Sequence, residues 1–244
     1  MKNLLLKLPG LEFVYTMWMR RPGNSLEELL ERFARGQSSE IYFIQVGAND
    51  GVGNDPFVDV LNRFSWRGIC IEPQERAFAA LQEHYAGNPR VSLENAAIAE
   101  RTGTETMFRI AFSEDSWASR LASLRRDVVE KQIESGYVEA QARISGVIPP
   151  ADRACWIREE RVTTVTFADL LAKHSVPRVD ALLLDVEGYE WPILRQFPFE
   201  LHKPQFIALE RMHLKERDRA NILGLLRKQG YRVRKTRQNF VALL

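Results

Sequence analysis

Short apolar runs alternate along the chain with segments of helical periodicity. The first run, Ile41–Val46, has the length and composition of a buried strand. The next segment, "NDPFVDVLNRF", predicts a helix with Asp55 as N-cap and Pro56 at its first position. Further predicted strands are Gly68–Glu72, "VSLENAAIA", "ETMFRIAF", "VDALLLDVEG" and "PQFIALERMH". Further predicted helices are "QERAFAALQEHY", "YEWPILRQF" and "ERDRANILGLLRKQG". This alternation predicts an α/β fold with a mostly parallel, doubly wound sheet.

Two segments modify this simple alternation. The end of the chain, "YRVRKTRQNFVALL", predicts a closing two-stranded ribbon. Residues 113–160 form an insertion that is longer than an ordinary connection and contains the helical pattern "SRLASLRRDVVEKQI". Its aromatic residues Trp117, Tyr137 and Trp156 either stack on a flat ring of a substrate or pack the insertion onto the core. We interpret this insertion as a helical substrate lid.

The N-terminal residues form a segment of their own in this interpretation. Residues 1–39 are predicted as an N-terminal helical segment, and residues 40–244 as the main domain. The apolar start, residues 1–21, is interrupted by Lys7, Glu12 and a Pro-Gly pair, and no run reaches the roughly 18 apolar residues of a membrane span. We therefore expect it to cover an apolar surface of this subunit or of another copy in a homo-oligomer. Peripheral contact with a membrane surface is the alternative.

Composition and charge exclude few classes of function. The chain has 244 residues and a net charge of +2, so its overall charge does not require an anionic partner. Basic side chains are concentrated between Arg211 and Arg237, where only Glu216 and Asp218 oppose them. They form either a solvated helix and edge strand or a surface for a phosphate-rich partner. The two cysteines lack metal-ligand spacing and suit a reducing compartment, so we expect a cytoplasmic protein with Cys70 as a buried thiol.

The stretch "IQVGANDG" contains the first candidate binding residues. Gly47 ends the first strand, at the edge where doubly wound sheets bind their ligands, and would let a ligand lie against the backbone. Its spacing to Gly51 and Gly53 is not that of a pyrophosphate loop and fits a looser loop around a nucleoside. Glu72 ends the next strand, 25 positions later, where a carboxylate accepts hydrogen bonds from ribose hydroxyls. The alternative role for Glu72 is a helix-capping acid.

Several segments together resemble one family. These are "FIQVGANDG", "GICIEP", "LENAAIAERTGTETMF", "VTTVTFADLL" and "VDALLLDVEGYEWPIL". Their order and spacing resemble the FkbM family of S-adenosylmethionine-dependent methyltransferases over about residues 40–212. The resemblance implies a class I methyltransferase (Rossmann-like) fold with seven strands, the last one antiparallel, and methylation of a hydroxyl on a sugar, glycan or natural product. The chain departs from the family at Gln45, where Asp is commoner, and at Ala122–Leu124, where a doubled serine is usual.

The resemblance assigns roles to residues position by position. It implies that Gly47, Ala48 and Asn49 form the cofactor loop. Glu72 would hold the ribose and Pro73 would lie beneath the adenine of S-adenosylmethionine. It further implies that Asn95, Ala96 and Ala97 lie near the adenine, and that Asp185, Glu187 and Gly188 form the family's "DVEG" signature.

A group of acids and a histidine marks the candidate reaction centre. Asp185 should open into the same crevice as Gly47, with Glu187 two positions later, and "LERMH" adds Glu210 and His213. They could activate the acceptor hydroxyl as general base, with His213 first and Asp185 second. Alternatively, Asp185, Glu187 and Glu210 could hold a hard divalent cation, or the group could provide cofactor contacts and helix caps only. We expect no metal.

These observations predict a cytoplasmic S-adenosylmethionine-dependent O-methyltransferase whose partner is a small-molecule or glycan acceptor. An RNA methyltransferase that uses the basic C-terminal region is one alternative. No basic and aromatic platform of a known RNA module is visible, so nucleic acid is not the expected partner. A catalytically silent binding or scaffold protein that keeps the cofactor fold is another alternative.

Overall fold

The computed structural model describes residues 25–52 and 56–244. The strands are β1 (Tyr42–Val46), β2 (Arg67–Ile71), β3 (Val91–Glu94), β4 (Ala97–Ile98), β5 (Gly103–Ile110), β6 (Ile157–Val165), β7 (Ala181–Leu184), β8 (Phe206–Glu210), β9 (Arg232–Lys235) and β10 (Asn239–Leu243). The helices are α1 (Leu26–Arg35), α2 (Pro56–Phe64), α3 (Glu75–His84), α4 (Ser116–Ser119), α5 (Arg126–Glu134), α6 (Tyr137–Ser145), α7 (Phe167–Lys173), α8 (Glu190–Leu194) and α9 (Glu216–Lys228). The apolar start of the chain and the predicted N-cap Asp55 lie outside the described residues.

One sheet dominates the fold. Within the described ranges it has seven strands in the order β3-β2-β1-β7-β8-β10-β9. The last strand, β10, is antiparallel to both of its neighbours, and the remaining pairs are parallel. The predicted doubly wound sheet with an antiparallel last strand is therefore confirmed. The winding reverses between β1 and β7, which are paired from Phe43↔Ala181 to Val46↔Leu184. A crevice opens at such a reversal, beyond the carboxyl ends of the strands.

The central strands are apolar because both faces of the sheet are covered. Along β7 and β8, successive side chains alternate between two buried layers. One layer includes Leu182, Leu184 and Ile207, and the other includes Leu183 and Phe206. The second layer is completed by Leu29, Leu30 and Ala34 of α1. This helix starts with a capping box in which Ser25 and Glu28 each accept from the other's backbone N–H.

A smaller sheet supports the insertion. Among the described residues it has three strands in the order β4-β6-β5, with β5 and β6 paired antiparallel over their length. The sequence pattern did not predict β6 as a strand, because the charged residues Arg158, Glu159 and Glu160 conceal its alternation. Residues 157–160 therefore belong to this sheet, although the predicted lid extended to residue 160.

The insertion between β5 and β6 is helical, as predicted. It contains α4, α5 and α6 around its own buried cluster, which includes Val129, Val138 and Trp156. The sequence pattern did not predict α6. Two glycines with left-handed backbone flank this helix, Gly136 (φ 78°) before it and Gly146 (φ 72°) after it.

In the described parts of the chain, every helix is too short or too polar to cross a lipid bilayer. Cys70 is completely buried, as the sequence predicted, whereas Cys155 is exposed.

Candidate active site

A cavity of about 680 Å³ lies at the carboxyl ends of the central strands, and the lid forms its opposite wall. From the strand ends it is lined by Gly47, Ala48, Asn49, Glu72, Pro73, Ala97, Asp185, Glu187, Glu210 and His213. From the lid it is lined by Trp117, Ser119, Gln132, Tyr137 and Gln141. Asn95 and Ala96 do not reach it. The structure therefore brings most of the sequence-predicted residues to one cavity.

The loop Gly47–Asn49, which the resemblance assigns to the cofactor, is tied to the end of β2. The N–H groups of Gly47 and Ala48 both donate to the carbonyl of Ile71, at 2.9 and 3.0 Å. The N–H of Asn49 donates to Glu72 Oε2 at 2.9 Å. Asn49 has a left-handed backbone with φ of 47°. The loop is rigid for these reasons, and these three N–H groups are already engaged within the protein.

Position 47 must be glycine because the end of the neighbouring strand approaches its backbone closely. Its φ is 84°, and a Cβ added there would lie 1.8 Å from the carbonyl oxygen of Asp185. We predicted from the sequence that this glycine makes room for a ligand. The space that a side chain would occupy is instead taken by the chain itself, where β1 and β7 end side by side.

Replacement of Gly47 should therefore be unusually destabilising. Gly146→Ala is the matched control, since its φ is 72° and nothing lies within 4 Å of the added Cβ. The control should cost only the left-handed penalty of about 1–2 kcal/mol. Gly47→Ala should cost about 1–3 kcal/mol more because of overpacking. Urea unfolding measures both, and equal losses in the two variants would contradict this explanation.

Glu72 lines the cavity beside the loop Gly47–Asn49. It is only 3% exposed. Its Oε2 accepts from the Asn49 N–H, and its Oε1 accepts from the backbone and side-chain N–H groups of Gln74 at 2.9 and 3.2 Å. A carboxylate has about four acceptor sites, so roughly one stays open toward the cavity. Burial raises the pKa of Glu72 to about 7, although the hydrogen bonds from Gln74 and Asn49 oppose the shift.

This raised pKa predicts a pH-dependent stability. The folded protein favours protonated Glu72, so the associated stability is present below pH 4.5 and is lost as the pH rises through about 7. Between pH 5.5 and 8 the free energy of unfolding of the wild type should fall by about 2 kcal/mol more than that of the Glu72→Gln variant. Urea unfolding at both pH values measures this difference. Glu75→Gln, at an exposed neighbouring residue, is the control. Its free energy of unfolding should change with pH as that of the wild type does. If the free energy of unfolding of Glu72→Gln also changes with pH as that of the wild type does, the pKa of Glu72 is not raised.

Other residues around Glu72 hold the loop that carries it. Asn95 Nδ2 donates to the carbonyls of Glu72 and Pro73, at 2.8 and 3.2 Å. Its contacts are therefore with the protein backbone. Gln74 Nε2 also donates to the Ser119 carbonyl, and Asn49 Nδ2 donates to Ser119 Oγ. Sequence reasoning missed Gln74 and Ser119, which connect the cofactor loop to the lid.

The same cavity is also lined by the acidic rim, defined here as Asp185, Glu187, Glu210 and His213. His213 Nε2 lies 3.1 Å from Glu187 Oε2 and 3.6 Å from Glu210 Oε1. Gln132 of the lid contacts the imidazole, with Nε2 at 3.2 Å from Nδ1 and 3.0 Å from Nε2. Asp185 is exposed, whereas Glu187 and Glu210 are mostly buried. The structure therefore assembles all four predicted residues in one place.

Burial and mutual repulsion dominate the electrostatics of the acidic rim. Burial, followed by the charges of Asp185 and Glu190, raises the pKa of Glu187 well above its ordinary value. Burial, followed by the charge of Glu187, likewise raises the pKa of Glu210. Burial and then the charge of Arg219 lower the pKa of His213. Both effects therefore favour the neutral form of the imidazole.

The loop that carries Glu187 is fixed from two sides. Ser123 Oγ donates to the Glu187 carbonyl at 2.8 Å, and Arg125 Nη1 donates to the Gly188 carbonyl at 3.1 Å. From within the loop, Glu190 Oε1 accepts from the N–H groups of Val186 and Gly188. Glu187 itself has a left-handed backbone with φ of 50°. Sequence reasoning missed these supports, although Ser123 lies in the segment where the family's doubled serine was sought.

Comparison with known proteins identifies the family. Residues 45–233 match the family model described as the methyltransferase FkbM domain. The chain belongs to the FkbM methyltransferase family. Residues of the "GAN", "EP" and "DVEG" motifs, on which the resemblance was partly based, line the cavity. No functionally curated protein matches the sequence.

A solved structure from the same family has the same fold. The crystal structure of the methyltransferase FkbM from Methylobacillus flagellatus superimposes with a TM-score of 0.50 at 14% identity, covering 84% of this chain. The chain spans 44% of the length of that protein. Precorrin-6y C5,15-methyltransferase from Geobacter metallireducens gives 0.45 at 9% identity, with 90% and 87% of the two chains covered. The METTL16 MTase domain gives 0.46 at 12% identity, with 89% and 64% covered.

Proposed function

We propose that this FkbM methyltransferase uses S-adenosylmethionine to methylate a hydroxyl of a sugar, glycan or natural product. The observation that carries the proposal is the single cavity that joins Glu72 and the cofactor loop to the acidic rim and the lid. Such a cavity has room for a donor at one end and an acceptor at the other. Its volume of about 680 Å³ is within the range of cofactor and small-molecule sites.

The residues at the Glu72 end fit the nucleoside part of the cofactor. The open acceptor site of Glu72 suits one ribose hydroxyl. Pro73, Ala97 and Ile98 offer apolar surface in the same wall, suited to a flat base. Gln45, which lines the cavity beneath the loop, is a neutral residue where the family usually has Asp. Its side-chain oxygen accepts from Cys70 Sγ at 3.7 Å. A contact between Gln45 and the amino group of the methionine part would therefore lack the help of a negative charge.

S-adenosylmethionine supplies a methyl group activated by its sulfonium sulfur, so the cofactor provides the reactive carbon. The protein must hold the acceptor oxygen close to that methyl carbon and receive the hydroxyl proton. We assign the second task to the acidic rim, with Asp185, Glu210 and His213 as the proposed catalytic residues. Neutral His213 and exposed Asp185 are the candidates for receiving the proton. As the oxygen–methyl bond forms, the methyl–sulfur bond breaks and its electron pair stays on sulfur.

The lid wall suggests a ring-shaped polar acceptor. Trp117 and Tyr137 line the cavity from the lid, whereas Trp156 is 4% exposed and packs inside the insertion. Gln132 and Gln141 add amide groups to the same wall. Aromatic faces beside amide groups suit a sugar, whose ring has both apolar faces and hydroxyl edges.

A transfer screen tests the proposal. The protein is incubated with S-adenosylmethionine bearing a deuterated methyl group and with sugars, glycans, polyketide-like alcohols and RNA. We expect mass spectrometry to find the label on a hydroxyl, as an ether that survives alkali. Label only in RNA, or only in an alkali-labile ester, would contradict the proposed acceptor class.

A further inference from the structure

Three side chains of the acidic rim bring possible metal-ligand atoms close together. One oxygen each of Glu187 and Glu210 and one ring nitrogen of His213 all lie within 4.8 Å of one another. Bonds from a cation to oxygen or nitrogen ligands are about 2.0–2.6 Å long, so ligands of one ion are separated by at most about 4–5 Å. The spacing therefore fits three ligands around one ion.

Two carboxylate oxygens in this group lack the donors that buried oxygens normally have. Glu187 Oε2 and Glu210 Oε2 are buried, and within the described residues neither has a hydrogen-bond partner. Glu187 Oε2 faces His213 Nε2 at 3.1 Å, but the two atoms do not form a hydrogen bond. Glu210 as a whole is only 9% exposed and lines the cavity. A buried oxygen without a partner is costly, and a cation in the cavity would satisfy both.

A second acid–histidine pair in the same chain shows the contrast. Glu94 is 7% exposed and lies outside the cavity. Its Oε2 lies 2.9 Å from His174 Nε2, and its Oε1 accepts from Lys173 Nζ at 2.8 Å. Both oxygens of this carboxylate therefore have protein partners. The acids beside His213 differ because Glu187 Oε2 and Glu210 Oε2 are buried without a hydrogen bond from any described residue.

We propose that Glu187, Glu210 and His213 bind a divalent cation. Two carboxylates favour a hard ion, and the imidazole favours a transition metal, so the set suits an ion of the Mn²⁺ type. This differs from our expectation of no metal, and from the alternative ligand set in having His213 in place of Asp185. The role of the ion rests on the proposed function: it would lower the pKa of an acceptor hydroxyl that reaches it. Asp185, which also lines the cavity, would then be the candidate to receive the proton.

Titration with Mn²⁺ tests the proposal without cofactor or acceptor. The purified chain is stripped with chelator, and the EPR signal of free Mn²⁺ is followed as protein is added. We expect binding of about one ion per chain. Glu210→Gln and His213→Ala should each weaken it at least about tenfold, because even the loss of a group that only orients a metal ligand lowers the affinity about 10- to 100-fold. His174→Ala is the matched control and should bind as the wild type does.

The outcomes separate this inference from the proposed function. Circular dichroism first establishes that each variant is folded. Absence of Mn²⁺ binding by the wild type, or equal binding by folded Glu210→Gln and His213→Ala, would overturn the cation site. Neither result depends on S-adenosylmethionine. Conversely, a chain that binds Mn²⁺ at these residues but does not bind S-adenosylmethionine would keep the cation site and contradict the proposed function.

Discussion

His213→Ala should lower turnover by about 100- to 10,000-fold and leave the affinity for S-adenosylmethionine close to that of the wild type. His213 belongs to the acidic rim, whereas Glu72 lies beside the loop Gly47–Asn49 that we propose to hold the cofactor. Whether His213 holds a cation or receives the proton itself, it acts as the hydroxyl loses its proton. Its loss should therefore lower kcat and kcat/KM together.

The measurement is steady-state methyl transfer to the acceptor found in the screen, with cofactor affinity determined separately by calorimetry. His174→Ala is the control, since that histidine also lies beside a buried acid but outside the cavity. We expect the control to have wild-type turnover. Full activity of a folded His213→Ala variant would mean that the acidic rim is structural and that the acceptor is activated from the lid.

Glu72→Ala should weaken the binding of S-adenosylmethionine at least about tenfold. A hydrogen bond to a charged group contributes about 1.5–3 kcal/mol, and about 1.4 kcal/mol corresponds to a tenfold change in affinity. The change also removes the acceptor of the Asn49 N–H, so the cofactor loop loses one of its ties. Because Glu72 would hold the cofactor before and during the reaction alike, the effect should appear mainly in binding.

Calorimetric titration of the variant measures this loss. Glu94→Ala is the control, because Glu94 is also a buried acid at a strand end of the same sheet but does not line the cavity. We expect the control to bind the cofactor normally once circular dichroism shows that it is folded. An unchanged dissociation constant for folded Glu72→Ala would exclude the ribose contact.

Much of the fold could be predicted from the sequence, because the central strands are apolar on both faces and each apolar run ends abruptly. The run before Gly47 and the run before Asp185 are paired side by side in the sheet, as the alternation of strands and helices predicted. The strand β6 was missed because its exposed charged positions hide the two-residue period. The helix α6 was missed because Gly136 resembled a break leading into a loop.

The site was predictable in position but not in its contacts. Motif order placed Glu72 and the acidic rim at the same edge of the sheet, and the structure brings them to one cavity. The sequence could not show that the carbonyl of Asp185 fills the space beside Gly47, since that depends on how closely two distant strands approach. Likewise, the contact from Ser123 to the Glu187 carbonyl joins residues 64 positions apart. No local pattern reveals it.

The most direct test of the central claim is calorimetric titration of the wild-type chain with S-adenosylmethionine. The account predicts saturable binding of one molecule per chain, which tightens as the pH rises through about 7 because ionised Glu72 is the better acceptor for the ribose. Absence of binding by the folded protein, at cofactor concentrations up to the millimolar range, would contradict the account. It would favour a scaffold that keeps the methyltransferase fold without its cofactor.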